Sequence, residues 1–333
     1  MENNKELKYN YILYNMETAD KWQIYKELLE NPNIRMCKGA LPANPKLAHK
    51  LHKLHWSAKL NRKISLPFKK LWFNAMTNGR FEDKTKPVCH VFFGGQYIIR
   101  DSRIADYIRK LNIENKIAIH YRDIIKNNEE HIDLLKEKSD LIYTYNKSEC
   151  EQYGVEYFSS YVYSKIVPVT QPDEFDCDLY FVGYSKGRFD LLKNLCSHLS
   201  AQGVRCKFKI AGIPQQDRVQ QEGIEYLDNP IPYTRVVNEV QRSRCVLELL
   251  QENSDGATMR SIEAIAYKRK LLTNGKDIAN RMYYNKDQMM EFSDIESIDT
   301  DFLKSPIDYD KMMDVESFSP MREIEYLENY FSK

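Results

Sequence analysis

Short apolar stretches alternate with amphipathic ones along most of the chain, a pattern typical of strands followed by helices. The clearest unit begins with the apolar run 245–250, which predicts a buried strand, and continues with the polar loop 251–256. Residues 257–267 carry a helical apolar face, and residues 271–273 begin another strand. The pattern therefore predicts a strand–loop–helix–strand unit whose loop and first helical turn hold most of its unusual polar residues.

The same alternation occurs in both halves of the chain and predicts an α/β fold built of doubly wound parallel sheets. A length of 333 residues exceeds what one hydrophobic core usually serves, so we expect two domains. Prolines around residues 161–171 indicate a linker between them. We predict an N-terminal domain over 1–165, a C-terminal domain over 166–310, and a last segment, 311–333, with a helix that packs back on the N-terminal domain.

Composition narrows the class of protein. The apolar fraction is 42%, the charged fraction 29% and the mean hydropathy −0.61, which favours a soluble protein with a full core. No run of eighteen apolar residues and no apolar leader occurs, so we expect neither a membrane-spanning helix nor a signal peptide. The seven cysteines are scattered without a CxxC pair, which indicates a reducing cytosol and argues against a disulfide scaffold or a zinc cluster.

The start of the predicted helix 257–267 carries groups that suit an anion. Asp255, Thr258 and Arg260 stand where free backbone N–H groups and the helix dipole favour negative charge. Glu263 borders the apolar face, where a carboxylate needs hydrogen-bond donors. Such a set suits a sugar–pyrophosphate, with the carboxylate on sugar hydroxyls and the donors on phosphates. The alternative, a helix cap at Asp255 with a surface pair of Arg260 and Glu263, is slightly favoured by these residues alone.

The string DGATMRSIEAIA, which begins at Asp255, resembles the nucleotide-sugar-binding helix of GT-B glycosyltransferases. Gly256, Thr258, Arg260 and Glu263 fit a pattern of bacterial enzymes that assemble capsule and lipopolysaccharide. The resemblance implies two Rossmann-like domains with a cleft between them. It also implies that Glu263 binds the ribose and that Asp255 approaches the donor sugar.

A second candidate anion loop follows the predicted strand 179–183. Gly183 ends that strand, and Lys186, Gly187 and Arg188 lead into a helix, an order of residues that favours anion binding. The spacing of a Walker loop is absent. The segment resembles the first loop of a GT-B C-terminal domain, which makes Gly183, Lys186 and Arg188 candidates for donor binding, the two basic residues for the pyrophosphate.

His120 ends the predicted strand 116–120, and ligands of open α/β sheets bind beyond such strand ends. An isolated histidine there is more often structural than catalytic. The string IAIHYRD is nevertheless similar to the strand-end histidine and following acidic residue of many GT-B enzymes. The resemblance implies that His120 and Asp255 serve the donor sugar in a retaining enzyme, and Asp123 is a possible base in an inverting one.

Residues 31–81 contain no acidic residue, the strongest charge asymmetry in the chain. Three interpretations remain open: a solvated basic helix pair, a nucleic-acid-binding patch, or a membrane-facing surface. We favour the membrane, because the resemblance implies a lipid-linked acceptor. The residues expected on the acceptor or membrane side are Lys50, Lys53, Trp56, Arg62, Lys63, Lys69, Lys70 and Trp72.

Together these patterns predict a cytoplasmic enzyme on the inner face of the cytoplasmic membrane. It would transfer a sugar from a nucleotide sugar to a surface glycan (lipopolysaccharide, capsule or O-antigen) without a metal or other cofactor and without a nucleic-acid partner. The alternatives are a non-catalytic nucleic-acid-binding protein that uses residues 31–81 and a GT-B-like sugar-nucleotide epimerase or phosphorylase. The donor, the acceptor, the stereochemistry and the oligomeric state stay open.

Overall fold

The structure of the protein is a computed structural model that divides into two compact units. One comprises Met1–Ser160 with Pro320–Lys333, and the other comprises Tyr161–Ser319. This division lies close to the boundary predicted at 165/166, and the last helix is grouped with the first unit. The residues described are 6–15, 24–37, 45–61 (with the backbone alone at 45–49), 63–64, 66–159, 162–164, 168–250, 258–276, 278–281, 283–313 and 318–333.

The first unit contains a six-stranded sheet in the order β2-β1-β3-β4-β5-β6, with every neighbouring pair parallel. Its strands are β1 Asn10–Tyr14, β2 Ile34–Met36, β3 Val88–Phe93, β4 Asn115–Tyr121, β5 Leu141–Thr144 and β6 Glu156–Tyr157. Its helices are α1 Pro45–His55, α2 Ala58–Asn61, α3 Lys69–Thr77, α4 Gln96–Arg100, α5 Arg103–Arg109, α6 Ile132–Lys138, α7 Lys147–Tyr153 and, from the C-terminal segment, α12 Met321–Phe331.

The second unit contains another parallel six-stranded sheet, in the order β12-β11-β10-β7-β8-β9. Its strands are β7 Cys177–Tyr184, β8 Cys206–Ala211, β9 Ile224–Leu227, β10 Ser243–Glu248, β11 Lys270–Thr273 and β12 Met289–Glu291. Its helices are α8 Phe189–Ala201, α9 Tyr233–Gln241, α10 Met259–Ala266 and α11 Thr300–Lys304. Short 3-10 turns of the two units lie at Lys26–Glu30, Ile125–His131, Gln215–Asp217, Ile278–Asn280, Ile295–Ser297 and Tyr309–Lys311.

These sheets confirm the predicted fold class of two doubly wound parallel-sheet domains. The central strands read as nearly continuous apolar runs because helices cover both faces of a parallel sheet. All six residues of β3 are buried, and so are the first six of β7. Each sheet also has one point where the strand order reverses, between β1 and β3 in the first unit and between β7 and β10 in the second. Ligands of open α/β sheets bind at such points, beyond the carboxyl ends of the strands.

The turn after β3 shows why two glycines follow this strand. Gly94 has a φ of +85°, a left-handed conformation that residues with a Cβ rarely adopt. A Cβ on Gly95 would lie 2.7 Å from Cδ1 of Leu135. The pair therefore serves the tight turn and the close packing of α6 in this structure.

The basic segment corrects part of the sequence prediction. Trp56 and Trp72, expected to face a membrane, are only 3% and 4% exposed because they pack into the first unit. The Trp56 ring lies 4.8 Å from that of Tyr97, in edge-to-face contact. Lys69 is buried as well, with its Nζ 2.6 Å from the Asp101 carboxylate. The prediction that Trp56, Lys69 and Trp72 face a membrane is therefore wrong for this structure.

Each of the seven cysteines is a free thiol. In the part of the chain that the structure describes, no helix has the length and apolarity needed to cross a membrane.

Helix α12 is fixed to the first sheet by one buried carboxylate. Glu323 accepts hydrogen bonds from the Tyr25 hydroxyl at 2.8 Å, from Nδ1 of His120 at 2.8 Å and from the Tyr143 hydroxyl at 2.6 Å. Burial raises its pKa, but the charge and hydrogen bond of His120 and the two tyrosine hydroxyls outweigh burial, so the pKa of Glu323 is lowered overall. The carboxylate is thus stabilised in its charged form by three side chains from other elements.

We expect Glu323→Ala to lower the free energy of unfolding by about 3–5 kcal/mol, because it leaves three buried donors without their acceptor. The folded-state pKa lies below the ordinary 4.5, so this stabilisation is complete above pH 4.5 and is lost as the pH falls through the folded-state pKa. Urea unfolding at pH 7 and at pH 4 measures both effects. Glu325→Ala, an exposed glutamate of the same helix, is the control, and equal losses in the two variants would contradict the assignment.

Candidate functional site

Two loops flank the point where the strand order of the second sheet reverses. One loop, residues 185–188, joins β7 to α8, and the other joins β10 to α10. β7 and β10 are neighbours and parallel, so both loops leave from the same edge of the sheet. This edge is where the topology of an open α/β sheet creates a binding crevice.

Glu248, the last residue of β10, holds the start of α10. Its side chain is fully buried. Oε1 accepts hydrogen bonds from the backbone N–H and hydroxyl of Thr258, at 2.9 and 2.7 Å, and from the Ser261 hydroxyl at 2.6 Å. Oε2 accepts one from the Thr273 hydroxyl, at 2.8 Å. One carboxylate therefore ties the end of β10 to the first turn of α10 and to the end of β11.

Helix α10 begins at an N-cap threonine. The Thr258 hydroxyl accepts a hydrogen bond from the backbone N–H of Arg260 at 3.1 Å while it donates to Glu248. Arg260 Nη1 donates to Oε2 of Glu263. Glu263 itself is completely buried. The two residues are paired, as the alternative interpretation expected, but the carboxylate lies inside the protein and not on its surface.

Three tyrosines lie in the electrostatic neighbourhood of Glu263. The Tyr163 hydroxyl is 3.1 Å from that of Tyr233 and 2.7 Å from that of Tyr267. Burial, and then the charge of Glu263, raise the pKa of Tyr163 to about 12. The same two causes contribute to the raised pKa of Tyr233 and of Tyr267. These hydroxyls stay protonated at neutral pH and add neutral donors and acceptors beside an anionic carboxylate.

The loop after β7 is held by Arg188. Its Nε and Nη2 donate to the carbonyls of Ser185 and Tyr184, each at 3.0 Å, and Nη1 donates to the carbonyl of Leu249. Burial lowers the pKa of this guanidinium. Arg188 therefore uses three hydrogen bonds to join the loop after β7 to the end of β10. Its predicted contact with a pyrophosphate stays a prediction.

Lys186 is the exposed cation of this loop. Its φ is +45° and that of Gly187 is +81°. A lysine in the left-handed region costs about 1–2 kcal/mol, and such strain is concentrated at functional sites. Gly183, another predicted donor-binding residue, lies at the end of β7, where an added Cβ would meet only the Phe181 ring at 3.5 Å.

The catalytic residues predicted in the first unit occupy different environments. The His120 ring is fully buried and stacks on Tyr143 with ring centroids 4.7 Å apart, and its Nδ1 contacts Glu323. Asp123 is exposed just beyond the carboxyl end of β4. Their predicted roles toward a sugar stay predictions, and for His120 such a contact needs a conformation other than this one.

Three predicted site residues, Arg62, Asp255 and Gly256, lie outside the described residues. Within the described ranges no group of three or more histidine, cysteine or acidic side chains is arranged to hold a metal ion.

Comparisons of sequence find no relative: no protein-family model and no curated protein matches the chain. Solved structures do match. An α-glucosyltransferase in complex with UDP and a 13-mer DNA containing an HMU base gives a TM-score of 0.51 at 10% identity, over 73% of this chain and 80% of that one. A second structure, an α-glucosyltransferase in complex with UDP-glucose and DNA containing an abasic site, gives a TM-score of 0.50 at 10% identity, over 72% of this chain and 79% of that one.

The two parallel six-stranded sheets, together with this likeness, decide the fold. The chain has the GT-B fold. At 10% identity the likeness extends to the fold alone.

Sequence reasoning missed two residues of this GT-B chain. Glu248 carried a visible signal, because a single carboxylate inside the apolar run 245–250 needs several donors when buried. Ser261 and Thr258, spaced by three at the start of the next helix, are such donors. Tyr163 carried no signal in the sequence, because only the folded chain brings it into contact with Tyr267.

We expect Glu248→Ala to lower the free energy of unfolding by about 3–5 kcal/mol, since it leaves a backbone N–H and three hydroxyls without their acceptor. Glu248→Gln keeps one acceptor oxygen, and we expect a smaller loss. Urea unfolding followed by circular dichroism measures both. Glu296→Ala removes an exposed glutamate of the same unit and is expected to change stability by less than about 0.5 kcal/mol. A Glu248→Ala variant as stable as this control would refute the anchoring role.

Proposed function

We propose that the chain is a glycosyltransferase whose nucleotide-sugar donor binds beyond the carboxyl ends of β7 and β10. The observation that carries this proposal is the buried carboxylate of Glu248, which fixes the start of α10 at the reversal point of a GT-B sheet. Fixing a helix start in this way presents its N–H groups and the Arg260–Glu263 pair in a constant orientation.

The proposed donor contacts follow from charge. Glu263, completely buried in this structure, would accept the ribose hydroxyls in a conformation that exposes its carboxylate, with Arg260 neutralising the charge beside it. The helix N-terminus and Lys186 would bind the diphosphate, since both offer positive potential to an anion. Charge-assisted hydrogen bonds contribute roughly 1.5–3 kcal/mol each. Two or three of them would stabilise the leaving diphosphate, and we propose that transfer proceeds on this basis without a divalent cation.

The stereochemical course follows from the residue that faces the anomeric carbon. In a retaining enzyme Asp255 and His120 would serve the donor sugar. In an inverting enzyme the exposed Asp123 would act as the base toward the acceptor hydroxyl.

Residues 50–71 of the first unit carry the exposed side chains that bear on the acceptor class. Five large apolar side chains there are between 42% and 73% exposed, and exposed lysines lie among them. We call this set the apolar–basic surface; it consists of Leu51, Leu54, Ile64, Phe68 and Leu71 with Lys50, Lys53, Lys63 and Lys70. A surface that is both apolar and cationic matches an anionic lipid bilayer.

The strength of this attachment can be bounded. Four lysines at about 1 kcal/mol each contribute roughly 4 kcal/mol toward an anionic leaflet, which alone is millimolar binding. Partial burial of the five apolar side chains adds to this attraction. We propose reversible association with the inner face of the cytoplasmic membrane and a lipid-linked acceptor of the lipopolysaccharide, capsule or O-antigen kind.

A second candidate acceptor is nucleic acid, because the solved structures of similar fold contain DNA as well as UDP or UDP-glucose. The same lysines would then bind phosphates, and the affinity would fall steeply with salt. The exposed leucines favour lipid, since apolar aliphatic side chains add little to a phosphate backbone contact.

For the donor site, we expect Lys186→Gln to weaken UDP binding about tenfold while leaving uridine binding unchanged, because the lysine is assigned to the diphosphate. Glu263→Gln is expected to weaken UDP and uridine alike, because the ribose is common to both. Isothermal titration calorimetry measures the four affinities. Lys286→Gln, an exposed lysine of the same unit, is the control. Wild-type UDP affinity in both site variants would remove these residues from the site.

For the membrane surface, we expect Phe68→Ser and Leu54→Ser to reduce flotation with liposomes of anionic phospholipid at low salt by several-fold each. Val219→Ser, which removes a 41% exposed apolar side chain of the other unit, is the matched control. Binding should disappear at high salt. Two results together would favour the nucleic-acid acceptor. Flotation would be equal in all variants, and the protein would bind single-stranded DNA tightly unless it carried Lys53→Gln.

A further inference from the structure

A cavity of about 440 Å³ opens in the first unit where α4 meets α5, against the segment that follows α2. Its volume falls in the range of small-molecule sites, roughly 300–1,000 Å³. None of the residues assigned to the donor or to catalysis lines it. The cavity is lined by cationic and by apolar side chains, and each set restricts the ligand that the cavity can take.

The charged lining includes one buried carboxylate, Asp101, whose charge is already balanced by cations. Asp101 pairs with Lys69 at 2.6 Å and with Nε of Arg103 at 2.7 Å, so two cations share a single negative charge. Two further cations, Lys63 and Arg100, line the cavity with exposed side chains. Neither has an ion-pair partner among the residues that the structure describes. The excess positive charge favours an anionic ligand, and the Arg100 guanidinium suits a phosphate in bidentate contact.

The apolar lining consists of three isoleucines and one leucine. Ile98 and Ile99 of α4, Leu134 of α6 and Ile64 all line the cavity. Ile64 is 57% exposed and belongs to the apolar–basic surface as well. The cavity is therefore continuous with the face that we assign to the membrane.

We propose that this cavity binds the phosphate group of an amphiphilic lipid phosphate, with Lys63 and Arg100 on the phosphate and Ile64 against the first carbons of the chain. As the phosphate site of the lipid-linked acceptor, it rests on the proposed function and deepens it. An anion alone would not need the isoleucines, and a neutral lipid would leave the cations without a partner.

The test measures binding of dodecyl phosphate, at concentrations below its micelle threshold, to the full-length protein by calorimetry. Inorganic phosphate and dodecyl maltoside are titrated in parallel to separate the phosphate from the chain. Lys63→Gln and Arg100→Gln remove the two cations, and Ile64→Ser removes the apolar contact. Lys110→Gln is the control, since it is an exposed lysine immediately after α5, at the opposite end from Arg103.

We expect dodecyl phosphate to bind at least tenfold more tightly than either reference compound. We also expect Lys63→Gln and Arg100→Gln each to weaken the binding of dodecyl phosphate about tenfold. Ile64→Ser should weaken this binding several-fold, and Lys110→Gln should leave it unchanged. Equal affinity for inorganic phosphate, or no effect of the two cation variants, would overturn the lipid-phosphate site. The site would also be overturned if a single-stranded oligonucleotide bound more tightly than dodecyl phosphate and this binding were lost in the same variants.

The same proteins are titrated with UDP to keep the two proposals distinguishable. Unchanged UDP affinity in Lys63→Gln and Arg100→Gln supports a site separate from the donor. Weakened UDP affinity in these variants would contradict it. If the wild-type protein binds dodecyl phosphate but no nucleotide or nucleotide sugar, the proposed glycosyltransferase activity and the assignment of the cavity to an acceptor are both wrong. The lipid-phosphate site itself would remain supported by that result.

Discussion

The second unit depends on a carboxylate buried at the end of a central strand. Glu248 costs free energy to bury, and four hydrogen bonds from Thr258, Ser261 and Thr273 offset that cost. Because the donors come from β11 and the first turn of α10, the carboxylate fixes the helix start relative to the sheet. The donor site proposed here requires such a fixed helix start, since a dipole and a set of N–H groups stabilise charge only in a constant orientation.

The first unit uses the same device for another purpose. Glu323 of α12 accepts three hydrogen bonds from side chains of the first sheet and the segment before β2. Here the buried carboxylate attaches the last helix of the chain to the unit that the first 160 residues form. His120 takes part in this attachment through the contact of its Nδ1 with Glu323.

Much of the fold could be predicted from the sequence, because continuous apolar runs such as 245–250 are the direct signature of strands buried on both faces. A helix over 257–267 was also predicted from its apolar spacing. Its cap at Thr258 and the complete burial of Glu263 were not, because the alternatives placed the cap at Asp255 and the Glu263 carboxylate at the border of the apolar face or on the surface. Trp56 and Trp72 were assigned wrongly: among many lysines they resembled an interfacial belt, whereas contacts with Tyr97 and the rest of the core decide their burial. Arg188 was assigned to a phosphate by its charge, and no local pattern shows that its donors are directed to three carbonyls.

The measurement that tests the central claim most directly is incubation of the purified protein with UDP-, GDP- and CMP-sugars in the presence of EDTA. The release of nucleotide and the shift in melting temperature are followed for each donor. The account predicts that one nucleotide class raises the melting temperature and that its sugar is slowly released without a divalent cation. A protein that ignores every nucleotide sugar, or that releases sugar only when manganese is restored, would contradict it.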